Sequence, residues 1–547
     1  AGITPSTEAM RQYIWAILVL AAVIAIPLAL RKPSEEHSAS ARQLVVITPH
    51  NEATRYEFER AFRQYHLDRT GEEISIDWRT IGGTSEIVRY IRSTYLANFQ
   101  HRWLQEHPDA GWDDRTAAAV LDPRTTAQGN PVAAAARDDF LKSDTSIGID
   151  IFFGGGQYDM NWLTRAGITV PAGVRQRHPE WFGGARPVMS PGGGGEVWYD
   201  AGDCYYATCF SCFGIIFNRD RLADAGFSAD EIAAFGRSWR DLADPRLYNA
   251  IGVADPTQSG SIVKCFEMLI QREMQDEIAR LQPDGAEPSA AQLDQAWRRA
   301  MTLIKQIGGN AAYLTFSASK VPGDAAAGQI AAGMCIDFYG RSQAEWEAAH
   351  LGRRTLEYRT PSGGSSVSAD PIAILRGAPD RALAEEFVDF ILSPAAQRLY
   401  GRYAGTPGGP VKYTLYRLPC RRDMYSPEER INTAFGDENP FLMAENFTYR
   451  GQWTGRLFSL MRLLIKVMII DCGPELRQCY GRIVAQGGLD ALTPQQRAAF
   501  EALPFKQFDD AFHVLDDATT PEQQAVLLRS WIQFFRRNYA QACAPAT

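Results

Sequence analysis

Small polar residues recur where strand-like runs end. His50-Asn51 follows LVVIT, Gly83-Thr84-Ser85 follows ISIDWRTIG, Gly154-Gly155-Gly156 follows IGIDIFF, and Gln258-Ser259-Gly260-Ser261 follows IGVADPT. Each set leads into a helical pattern. Backbone N–H groups and hydroxyls at a helix start are hydrogen-bond donors at the positive end of the macrodipole, and glycine lets a ligand come close to the main chain. The chemistry such groups suit is non-covalent capture of negative oxygens. No P-loop lysine motif, HExxH or GxSxG occurs, so an enzyme is not expected. Cys209-x-x-Cys212 has the spacing of a zinc half-site or redox dithiol, but the other close pair, Cys472 and Cys479, is not spaced as a knuckle. Nine cysteines suit an oxidising compartment in which some pair, as structural disulfides or buried thiols, and their odd number leaves at least one unpaired. No metal and no cofactor is expected.

The elements that position these residues alternate. Leu44–Thr48 reads as a buried strand, Pro49-His50-Asn51 as a turn, and Phe58, Ala61, Phe62 and Tyr65 recur at helical spacing after a capping box at Thr54 and Glu57. Ile74, Ile76 and Trp78 alternate as a strand before a helix bearing Ile87, Val88 and Ile91. Residues 97–145 read as a helical insertion, and residues 182–203, rich in Gly and Pro, as a flexible loop. Tyr205 to Asn218 reads as a strand crossing between lobes. Residues 331–340 leave a helix and enter a strand; from 385 onward the pattern is helical. FSLMRLLIKVMII carries Arg462 and Lys466, so it predicts an amphipathic core helix. Strands alternating with helices predict a mainly parallel α/β sheet with ligands beyond the carboxyl ends of its strands.

With 547 residues, 45% hydrophobic and 22% charged, the chain can bury a large core in two or more lobes. A net charge of -8 without a basic stripe argues against nucleic acid. Residues 13–30 are uncharged and apolar, and at ~1.5 Å per residue they approach the hydrocarbon thickness of a bilayer. They predict a retained single-pass anchor, with flanking charges that leave its orientation open.

Five phrases, in order, resemble the type II extracellular solute-binding proteins of ABC importers, in particular the branch that includes ferric-ion binders: LVVITPHNE, DIFFGGGQYDMNWLTRAG, FGIIFNRDRL with SWRDLADPRLYNAIGVADPTQSGS, AYLTFSASKVPGDAAAGQIAAGMCIDFYG, and SADPIAILRGAPDRALAEEFVDFILSPAAQRL. The resemblance implies an α/β fold of two lobes that close on a ligand, and it divides the chain into an anchor and linker (1–41), lobe 1 (42–207), lobe 2 (208–336), a return to lobe 1 (337–400) and a helical extension (401–547). Ferric binders of this family use a first-loop histidine, a glutamate in the "DVF" loop and two adjacent tyrosines. His50 matches the first; Gly155 replaces the glutamate; Phe338-Tyr339 replaces the tyrosine pair, leaving His50 and Tyr339 as the only family ligands to a ferric ion. One histidine and one tyrosine supply too little negative charge for a trivalent ion. The ligand set then expected is His50, Asn51, Gly83, Thr84, Ser85, Gly154, Gly155, Gly156, Ser259, Gly260, Ser261, Tyr339 and Arg341, the last closing a bidentate contact to carboxylate or phosphate.

The function implied is that of a periplasmic receptor, anchored in a bacterial inner membrane, that captures a small organic or phosphorylated anion for an importer permease. The alternative is an accessory, scaffold or sensor subunit of a membrane complex that keeps the fold without transport and whose cleft is filled by side chains.

Overall fold

The computed structural model describes residues 42–126, 130–516, 518 and 520–544. The expected anchor at 13–30 lies outside them. Among the described residues no helix is long and apolar enough to cross a membrane.

Two mixed sheets form the frame. The first orders its strands Leu418–Pro419, Tyr206–Ser211, Ser368–Leu375, Ile151–Phe153, Arg42–Ile47 and Ile74–Arg79, with Thr169–Val170 pairing on Ser368–Leu375. The second runs Ala311–Thr315, Ile251–Ala254, Ala332–Ile336, Phe213–Asn218, Leu356–Arg359. Neither is as parallel as the alternation suggested. Arg42–Ile47 pairs in parallel with both neighbours, but Ser368–Leu375 lies antiparallel to Ile151–Phe153 and Tyr206–Ser211. The cause is the crossover: one extended run leaves the first sheet at Ser211 and enters the second at Phe213, and a second returns through 360–367. The return therefore comes at Ser368 and not near 337, because Leu356–Arg359 still pairs with Phe213–Asn218 in the second sheet.

Local signals set the edges of the helices. The first helix, Glu52–Thr70, is capped by Asn51, whose Oδ1 accepts from the Thr54 N–H at 3.1 Å, in place of the box expected at Thr54 and Glu57. Glu57 instead turns inward and accepts from the backbone N–H groups of Val411, Lys412 and Tyr413 at 2.7–2.8 Å. The insertion is helical, made of the rest of helix Thr84–Glu106 and helices Asp114–Val120 and Pro131–Lys142. DFYG belongs to a helix, Asp337–Leu351, not to the strand before it.

The stretch 182–203 departs from the loop reading. Gly192–Gly193 and Glu196–Val197 pair as a hairpin whose glycines press on the extension. A Cβ on Gly195 would fall 2.1 Å from the Tyr449 carbonyl oxygen. The extension itself is less purely helical than its composition suggested, since Leu418–Pro419 adds a strand to the first sheet. Its helices Phe458–Ile465, Gly473–Ala485 and Pro521–Ala542 share one core with the second lobe, including Phe266, Ile304, Leu464, Ile469 and Phe535. This core buries the FSLMRLLIKVMII segment as expected. None of the nine cysteines is in a disulfide; seven are buried thiols, and partial burial pushes the half-buried Cys204 up to about 12.

Candidate functional site

The predicted residues separate into a floor and a mouth. At the floor, His50 is buried at the end of strand Arg42–Ile47, beneath Gly154. Gly154 has φ +102°, and a Cβ there would meet His50 Cε1 at 2.9 Å, so only glycine fits over the ring. His50 Nε2 lies 3.2 Å from Asp370 Oδ2, which also accepts from Arg417 Nη1 at 2.9 Å. Burial alone would raise the Asp370 carboxyl; His50 and Arg417 outweigh it and hold the group below the usual carboxylate range. Arg417 in turn lies over the ring of Phe338.

Arg341, one turn into helix Asp337–Leu351, is held by buried Asp337 at 3.3 Å and by Glu438 of the extension. Burial raises the carboxyls of both Asp337 and Glu438 against the pull of Arg341. Its Nε and Nη1 are buried without an acceptor among the described residues, as is His50 Nδ1. Tyr339 is half-buried and packs against Phe338, ring centroids 4.4 Å apart.

The mouth is formed by helix starts. Gly83 is exposed and precedes helix Thr84–Glu106 without a side-chain cap. Thr84 and Ser85 are half-buried, and Gly155 sits against Thr84. Gly156 likewise leaves helix Gln157–Ala166 without a side-chain cap. From the second lobe, Ser259 caps helix Gly260–Leu281, its Oγ 3.0 Å from that of Ser261. Asn51 uses its side-chain oxygen as a helix cap.

Three residues that sequence reasoning missed complete the arrangement, all from the extension: Arg417, Glu438 and Arg462. Arg462 Nη2 donates to Ser85 Oγ at 2.7 Å and its Nε to the Pro256 carbonyl at 3.1 Å, so one guanidinium spans the lobes. A second tie joins the lobes: Lys264 of the second lobe reaches Glu196 of the hairpin at 3.3 Å, and Ser366 Oγ donates to the same carboxylate at 2.7 Å. For Arg462 the one cue in the sequence is its place, with Lys466, inside a mainly apolar helical run. A surface pocket of about 870 Å³ lined by Gly173, Arg175, Arg177, Phe182 and Arg381 lies on the first lobe, away from these residues.

Residues 197–414 match the family model described as bacterial extracellular solute-binding protein. A search of curated protein sequences gives no match. Solved structures with a similar course include the periplasmic binding protein AfuA from Actinobacillus pleuropneumoniae with fructose-6-phosphate (17% identity, 66% of this chain and 82% of that one, TM-score 0.41). Iron-bound HitA from Pseudomonas aeruginosa is similar at 13% identity, 74% and 92% coverage and TM-score 0.41. The spermidine/putrescine transporter substrate-binding protein PotD from Streptococcus pneumoniae is similar at 13%, 78% and 99%, with TM-score 0.44. Over residues 197–414, and in having two α/β lobes joined by crossover strands, the chain is similar to the bacterial extracellular solute-binding proteins.

Proposed function

We propose that this protein captures a small organic or phosphorylated anion between its lobes and presents it to an importer permease. The observation that carries the reading is Arg341: two of its donor atoms are buried without an acceptor among the described residues, and His50 Nδ1 is likewise without a partner there. An unsatisfied buried donor costs ~1–3 kcal/mol, and an oxyanion supplies the missing acceptors. The hydroxyls of Thr84, Ser85, Ser259 and Ser261 and the N–H groups after Gly83 and Gly156 add neutral donors from both lobes. A ferric ion fits this floor less well, because the Arg417 guanidinium already places a positive charge against Asp370 and Phe338. In this reading residues 13–30 tether the receptor to the membrane, where it meets its permease at high effective concentration.

Native mass spectrometry of the protein purified from its source tests the proposal. A retained small anion supports it; a retained metal ion contradicts it.

One observation favours the accessory-subunit reading: side chains of the extension already occupy partners among the candidate residues, Arg417 on Asp370, Glu438 on Arg341 and Arg462 on Ser85. That reading expects no bound solute and stable co-purifying membrane subunits.

A further inference from the structure

The extension lies mostly outside the segment that matches the family, which ends at residue 414. Its helix Phe458–Ile465 nevertheless reaches the mouth of the cleft. Phe458 stacks on Tyr158 of the first lobe with centroids 4.8 Å apart, and this contact fixes the helix one turn before Arg462. The Arg462 guanidinium then donates to the Ser85 hydroxyl and to the carbonyls of Pro256 and Thr257, at 2.7, 3.1 and 3.4 Å. These hydrogen-bond acceptors are all neutral, and the carboxylate of Asp159 acts on Arg462 through space without a hydrogen bond between them. Arg341, Arg417 and Lys264, by contrast, each hold a carboxylate. Arg462 is thus a half-buried cation that brings a full positive charge to the place where the two lobes meet, two residues before Ser259. A cation set beside the starts of two helices is in an unfavourable field, and an anion between them relieves it.

We propose that Arg462 is the specificity-determining residue of the cleft: it selects solutes carrying a carboxylate or phosphate over neutral solutes of the same shape. The inference rests on the anion-receptor reading above and adds to it that the recognising charge comes from the C-terminal extension. A planar guanidinium with a hydroxyl partner on one lobe and carbonyl partners on the other exchanges one neutral acceptor for an oxyanion without moving the helix. It thereby makes lobe closure and charge recognition one event.

The test is calorimetric titration of the full chain with glucose 6-phosphate, citrate and inorganic phosphate, each compared with glucose as the neutral probe. The wild type should bind at least one of the anions more tightly than glucose. Arg462→Gln should lower that preference by about tenfold or more, the loss of a charge-assisted hydrogen bond, while affinity for glucose changes little. A purely structural role for Arg462 would lower the melting temperature of the free protein and leave the preference unchanged, which would overturn the inference while the receptor reading stood. If the wild type binds none of the three anions, the receptor reading falls and the inference with it. Should Arg462→Gln not fold, Arg462→Met removes the charge in its place. Loss of the anion preference in Arg462→Met supports the proposal, and an unchanged preference refutes it.

Discussion

The Arg417 guanidinium carbon lies 3.5 Å above the ring of Phe338. Arg417 also bonds Asp370, the partner of His50. The chain thus provides its own cation at the floor. Removing one member of a buried pair leaves an uncompensated charge, so Arg417→Met should destabilise the protein by ~3–5 kcal/mol in urea denaturation. Adding Asp370→Asn to it should restore part of the loss.

Asp159 adjoins Tyr158 and feels Arg462; burial pushes its carboxyl up to about 6, with Arg462 pulling the other way. Above that pH the group carries a negative charge beside the mouth, and below it the charge is gone. Anion affinity should therefore rise as pH falls from 7 to 5, and Asp159→Asn should flatten the dependence. Titrations at the two pH values, wild type against variant, decide it.

Lys305 is fully buried where the second lobe meets the extension, and its Nζ donates to the carbonyls of Phe500 and Ala502 at 2.6 and 2.8 Å. Burial lowers its pKa from 10.5 to about 7. Between those values the unfolded chain binds more protons than the folded one, so this group makes stability rise with pH. Chemical denaturation at pH 6 and pH 9 should show the wild type gaining on Lys305→Met at the higher pH.

Gly195, at φ +83°, lies where a Cβ would overlap the Tyr449 carbonyl, and its neighbour Glu196 holds Lys264 across the lobes. Gly195→Ala should cost ~1–3 kcal/mol through this overlap. It should also loosen the extension, read as faster proteolytic cleavage near residue 449.

The sequence made the strand ends legible because period-2 and period-3.6 patterns are local, and the crossover at 205–218 was visible as one long extended run. Sites formed by distant segments were not. The glycines of 192–195 read as a loop because what fixes them, the backbone of 444–449, is some 250 residues away. Arg417 and Glu438 had no local mark, since their partners Asp370 and Arg341 are distant in the chain. The sequence cannot tell an Asn51 that faces a ligand from one whose side chain caps a helix, as it does here, because the two roles share the same residue types. The cysteines suggested pairing from their number alone; the fold instead keeps all nine as free thiols and buries seven of them.

The central claim, an anion held between the two lobes, is tested most directly by calorimetric titration of the Thr84→Ala/Ser261→Ala double variant beside the wild type, using the anion that the wild type binds best. The account predicts binding to the wild type at one site per chain and at least about tenfold weaker binding to the variant, as expected for two lost hydrogen bonds to a charged group. Equal affinity in the two proteins would contradict it.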